Sequence, residues 1–173
     1  YRDDVNGAVN MPASVTIGIY QVGTNNLQTI KTLYLNGGSA SIVPLGDPCY
    51  TPNPNIVRIE EGVYSGLGSV SLPNFSMGYY LHYETCCRNG LIDNLATPTS
   101  DGISIFAIIP DPSIGQNSTP DFGDYPNDAY FCVNNIKYFT WPVTDPDGDS
   151  LVFSLVAPLN DGTNPNNGNS APG

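Results

Sequence analysis

The dominant pattern along the chain is alternation of apolar and polar positions, the period of a strand with one buried face. In "SVTIGIYQV" (14–22), Val15, Ile17 and Ile19 share one face while Thr16, Gly18 and Tyr20 share the other. "LQTIKTLYL" (27–35) follows a Gly-Thr-Asn-Asn stretch whose residue types reverse a chain, so a hairpin is expected. Strands are also expected in "SASIV" (39–43), "NIVRIEEGVYSG" (55–66), "GSVSL" (68–72), "GYYLHYETCC" (78–87) and "GISIFAIIP" (102–110). Each is bounded by Gly, Pro or Asn. No helix longer than a turn is expected. Short strands at this spacing predict an all-β chain of β-sandwich architecture.

Alternation stops in "PDPSIGQNSTPDFGDYP" (110–126), and a boundary is expected there. Beyond it, "DAYFCVNNIKYFTW" (128–141) and "SLVFSLVAPL" (150–159) read as strands flanking an acidic turn. The pattern then dissolves into "NDGTNPNNGNSAPG", a loop or tail. Two modules follow: 1–113, complete or nearly so, and 114–173, partial, with about three strands where a sandwich needs about seven. "YRDDVNG" reads as a strand end entering a turn, so the chain is expected to start inside a longer precursor.

Composition sharpens this picture. Gly (18) and Pro (16) suit many turns, and no stretch reaches the eighteen apolar residues of a membrane-spanning helix, so no direct membrane insertion is expected. A net charge of −11 with five Lys and Arg argues against nucleic acid and anionic membranes as partners, because both need a basic face. The four cysteines, Cys49, Cys86, Cys87 and Cys132, form no CxxC pair, and the lone His82 completes no zinc set. An even count in a loop-rich acidic chain points to disulfides outside the cytoplasm. On a strand, adjacent Cys86 and Cys87 would face opposite ways, so one is expected to pair with Cys49 and the other with Cys132, the alternative being buried free thiols.

"TDPDGDSL" (144–151) holds two competing chemistries. Its end, Gly148-Asp149-Ser150-Leu151, matches an esterase nucleophile motif. A serine nucleophile needs a base, and the one imidazole, His82, lies on a strand with no obvious orienting acid. Ser150 also opens a strand-like run rather than a strand-to-helix elbow. The whole stretch instead alternates Asp145, Asp147 and Asp149 around Pro146 and Gly148, a source of hard oxygens for calcium. Three oxygens from one turn are too few, so further ligands must come from "QNSTPDF" (116–122), through Asn117 and Asp121, or from Glu60 and Glu61. The plain alternative is a polar hairpin whose aspartates cap backbone N–H groups.

Arg88, in "ETCCRNG", is expected to pair with a carboxylate such as Glu84 or to stack on a Tyr, with ligand contact as a further option. Tyr79, Tyr80 and Tyr83 read as core and rim residues or, alternatively, as a sugar-stacking platform in which Tyr80 touches the ligand. "NFS" (74–76) and "NST" (117–119) match the Asn-glycosylation pattern, which matters only in a secretory host.

The succession "YRD…NG", "IGIYQV", "PCY", "EEGVYSG", "VSLP", "GYYLHYETCCRNGLIDNL", "IPDP…NSTPDFGDYP", "YFCVNN" and "TDPDGDSLVFSLVAPL" resembles a repeat-type module. Such modules belong to very large surface proteins of Bacteroidota, similar to the gliding-motility adhesins exported by type IX secretion. Family members commonly carry Cys where this chain has Asp4. Separately, "NSTPDF…TDPDGDSLVFSL" resembles the opening strands of cadherin-like domains. That likeness implies Asn117 as a linker ligand and Asp145 and Asp147 as turn ligands for calcium; Asp149 is added from its spacing.

Together these readings predict tandem Ig-like and cadherin-like β-sandwiches, the second incomplete. The expected function is a non-catalytic structural or adhesive module of a secreted, extracellular filament on the bacterial cell surface, tied to attachment or gliding motility. Its expected partners are neighbouring repeats of the same long chain, and surface glycans or other cell-surface components. The alternative is a carbohydrate-binding accessory module of a secreted polysaccharide-degrading enzyme.

Overall fold

The computed structural model describes residues 1–5, 10–66, 68–90, 92, 95–123, 128–156 and 159. The chain is all-β, as the alternation requires. Its strands are β1 (Arg2–Asp3), β2 (Ser14–Gln21), β3 (Leu27–Ile42), β4 (Leu45–Gly46), β5 (Ile59–Ser65), β6 (Tyr79–Thr85), β7 (Ile103–Ile109) and β8 (Asp128–Tyr130). The larger sheet has the order β1-β5-β3-β2-β6-β7, consistent with an incomplete sandwich, and β4 pairs with β8 in a small parallel sheet. Two compact units interleave along the sequence: Tyr1–Ser14, Tyr34–Ser65 and Ser118–Val152 form one, and Val15–Leu33, Gly66–Asn117 and Phe153–Gly173 the other.

In the first unit, β5 runs antiparallel to β1, with Arg2 opposite Glu60, and to β3, with Ser41 opposite Glu60 and Leu35 opposite Tyr64. Charge ties this edge together. Arg2 and Ser39 both donate to Glu60, Ser41 donates to Asp4, and Arg58 Nε donates to Asp4 Oδ2 at 2.6 Å. Tyr1 Oη donates to Glu61 Oε1 at 2.7 Å. The second pair of candidate cation ligands, Glu60 and Glu61, is therefore engaged in the sheet's own polar fringe.

In the second unit, β6 runs antiparallel between β2, with Tyr20 opposite Tyr80 and Gly18 opposite His82, and β7, with His82 opposite Phe106. The alternation read in 14–22 is the alternation observed, and both faces are buried at the middle of the ladder. Ile19 and Tyr79 are buried on one face, and Tyr20, Tyr80, His82 and Ser104 on the other. Burying a side chain such as Ile19 contributes about 1.5–3 kcal/mol. Gly18 makes room for this core, because a Cβ there would lie 2.4 Å from the Tyr20 ring. Gly78 leads into β6 at φ 72°, and a Cβ there would sit 2.3 Å from the Ile109 carbonyl oxygen, so only glycine suits the site.

Several expected elements change form. "LQTIKTLYL" and "SASIV" merge into one sixteen-residue strand, β3. Gly37 and Gly38, at positive φ, absorb the irregularity as a register shift between Leu35 and Ser39 instead of turning the chain. The start of "NIVRIEEGVYSG" forms a turn instead, with Ile56 N–H and Val57 N–H donating to the Asn53 carbonyl. "GSVSL" makes no ladder among the described residues, and of "DAYFCVNNIKYFTW" only 128–130 is strand. The tail at 160–173 lies outside the described residues.

Candidate functional site

The acidic stretch forms a tight turn. Gly148 takes φ 81°, and its N–H donates to the Asp145 carbonyl at 3.2 Å. Asp145 Oδ1 accepts the N–H of Asp147 at 2.8 Å and that of Asp149 at 3.2 Å, so one carboxylate organises the whole reversal. The segment read from sequence as a second source of ligands lies beside it. Asp121 and Thr144 form an antiparallel bridge, with Asp121 N–H to Thr144 O at 2.7 Å and Thr144 N–H to Asp121 O at 2.9 Å. Asp147 Oδ2 accepts the N–H of Ser118, the residue after Asn117.

The residue types suit a hard cation, and the lone pairs not used by these N–H groups remain as donors. As the turn stands, however, its carboxylates act as backbone caps. Among the described residues, no three acidic, histidine or cysteine side chains converge on one point.

His82 belongs to a buried polar cluster on the larger sheet. It lies on β6, 6% exposed, and its Nε2 shares a hydrogen bond with Ser104 Oγ on β7 at 2.5 Å. Glu84, two residues along the same strand face, brings Oε2 to 4.0 Å from the same Nε2. A nucleophilic triad places its acid on the other ring nitrogen and exposes its serine. Here both partners crowd one nitrogen, and Ser104 is 5% exposed, so this is a hydrogen-bonded polar cluster within the core. Burial pushes the imidazole below its usual range, and the Glu84 charge only partly opposes that. Sequence reading missed Ser104 because its only link to His82 is cross-strand register.

Tyr80, considered as a ligand contact, is a core residue at 4% exposure. Its ring stacks on Tyr20 at 5.2 Å, and its hydroxyl donates to Asn25 Oδ1 at 3.1 Å. Arg88 is half-buried and donates from Nη2 to the Leu159 carbonyl at 3.1 Å, a backbone partner where a carboxylate or ring was expected.

The disulfides correct the expected connectivity. All four cysteines are oxidised, but Cys49 bonds to Cys132, and Cys86 to Cys87. The opposite-face argument fails because β6 ends at Thr85, before either cysteine. The Cys86–Cys87 peptide bond is cis, with Cα atoms 3.0 Å apart.

Beside the long-range bridge lies a group invisible in the sequence. Asp47 Oδ2 accepts the Cys132 N–H at 3.0 Å, and its Oδ1 accepts Lys137 Nζ at 2.8 Å. Lys137 also reaches Asp128 Oδ2 at 3.3 Å. Lys137, and secondarily the Cys132 N–H, holds the Asp47 carboxyl below the ordinary range, while Asp47 raises the Lys137 ammonium. The Tyr50 and Tyr130 rings meet at 4.8 Å next to this cluster. The β4–β8 pairing, the disulfide and this carboxylate together form a clamp within one unit.

No family model, no curated protein and no solved structure matches the chain. Among the described residues, no helix is long and apolar enough to cross a membrane.

Proposed function

We propose that this chain is a non-catalytic structural and adhesive module of a very large secreted cell-surface filament that serves attachment or gliding. The observation that carries the reading is the Cys49–Cys132 bridge. It spans a sequence separation of 83 within one unit and is reinforced by Asp47 and Lys137. Disulfides persist in oxidising surroundings, which supports a place outside the cytoplasm. A covalent clamp across so much chain resists extension, the property a load-bearing module needs.

The partners in this reading are neighbouring repeats of the same chain and components of surfaces it meets, glycans among them. Calcium is the proposed cofactor of the aspartate turn. The hard oxygens of Asp145, Asp147 and Asp149 support it, as does the contact between this turn and the segment that follows Asn117. The non-catalytic assignment draws on His82, whose Nε2 is engaged by Ser104 inside the core. The carbohydrate-binding alternative gains no support from Tyr80, which is buried.

Single-molecule pulling of the oxidised and reduced chain tests the mechanical reading. Reduction should add about 280 Å to the extended length, the 83-residue span at ~3.4 Å per residue. Equal lengths in the two states would overturn it.

A further inference from the structure

We propose that the open edge of β7 is a strand-acceptor site, and that its occupant is this chain's own segment Phe153–Val156, laid antiparallel with Leu155 opposite Ile108. β7 is the last strand in the order of its sheet. Ile103 and Ile105 are exposed on one of its faces, and Phe106 and Ile108 on the other, beyond the buried Ser104. A strand apolar on both sides suits the interior of a covered sheet, and left as a bare edge it is a template for pairing.

The segment Phe153–Val156 has the complementary character. Phe153, Leu155 and Val156 are all largely exposed, and no ladder involves them among the described residues.

The register is already set further along the same edge. Ser104 N–H donates to the Leu159 carbonyl at 3.3 Å in an antiparallel bridge, and Arg88 Nη2 anchors the same carbonyl at 3.1 Å. Antiparallel partners step in opposite directions, so a ladder extended from this bridge in the same register would bring Leu155 opposite Ile108. Alternate residues present their backbone groups to the same edge, and Ile108 therefore offers its N–H and C=O to that side as Ser104 does. Pairing would satisfy those groups and lay Leu155 over the same face as Ile108. The exposed apolar edge is then closed by the chain itself.

Residue-resolved amide exchange on the full chain tests this. The Ile108 N–H should be protected independently of protein concentration. Leu155→Pro, which removes a donor at an exposed position, should lower that protection by about tenfold or more while the β2 and β6 amides keep theirs. An Ile108 amide exchanging like an unstructured one, or protection untouched by Leu155→Pro, would overturn the proposal. Protection that grows with concentration would assign the edge to a second copy and overturn the intramolecular occupant.

Discussion

Lys137 Nζ lies 2.8 Å from Asp47 Oδ1, and the other oxygen of that carboxylate receives the N–H of Cys132, the end of the long-range disulfide. One carboxylate thus supports a covalent link and an ionic one. Asp47→Asn should lower the thermal midpoint, and the loss should shrink at high salt because the pair is only partly shielded from solvent. The folded-state pKa of Asp47 is depressed below 3.8, so its contribution is present above that value and disappears as pH falls through the folded pKa. Calorimetry at two salt concentrations, and across pH 5 to about 2, checks both statements.

Removing the bridge itself should cost more. In the chain-entropy account, closing a loop across the 83-residue separation of Cys49 and Cys132 stabilises by about 4–5 kcal/mol. The Cys49→Ser/Cys132→Ser double variant should lose most of that in urea unfolding. The Cys86–Cys87 link closes almost no chain, and its double serine variant should move the midpoint far less.

The aspartate turn separates capping from cation binding. Asp145→Ala removes the acceptor of two backbone N–H groups, and loss of such a cap should cost about 0.5–2 kcal/mol in the presence of chelator. If calcium binds, wild type should gain about 2.7 kcal/mol at a free concentration of 100 times Kd, and the variant should lose that gain. A wild-type melting transition indifferent to calcium and chelator leaves the turn as a cap alone.

His82 provides a separate pH dependence. Its folded pKa lies below the unfolded value of 6.5, because burial disfavours the imidazolium. Between those two values the unfolded chain binds more protons, so stability falls as pH drops from about 6.5 towards the folded pKa. Thermal midpoints between pH 7.5 and 5 should show this slope in wild type and lose it in His82→Gln, whatever that variant's starting stability.

Local patterns were legible along the chain. Alternation in 14–22, 78–87 and 102–110 placed β2, β6 and β7, and the Gly-Thr-Asn-Asn turn placed a hairpin, because strand period and turn chemistry are properties of neighbouring residues. The oxidised state of the cysteines was legible for a related reason, since count and context carry it.

What only the tertiary structure decided is which distant residues meet. The Cys49–Cys132 pairing, Asp47 against Lys137, Ser104 beneath His82 and Tyr80 turned into the core all depend on strand order and register. Those are settled by how whole faces bury against one another. No local period of the chain encodes that outcome, and a register shifted by a single residue would turn the strand residues Tyr80, His82 and Ser104 to the opposite face.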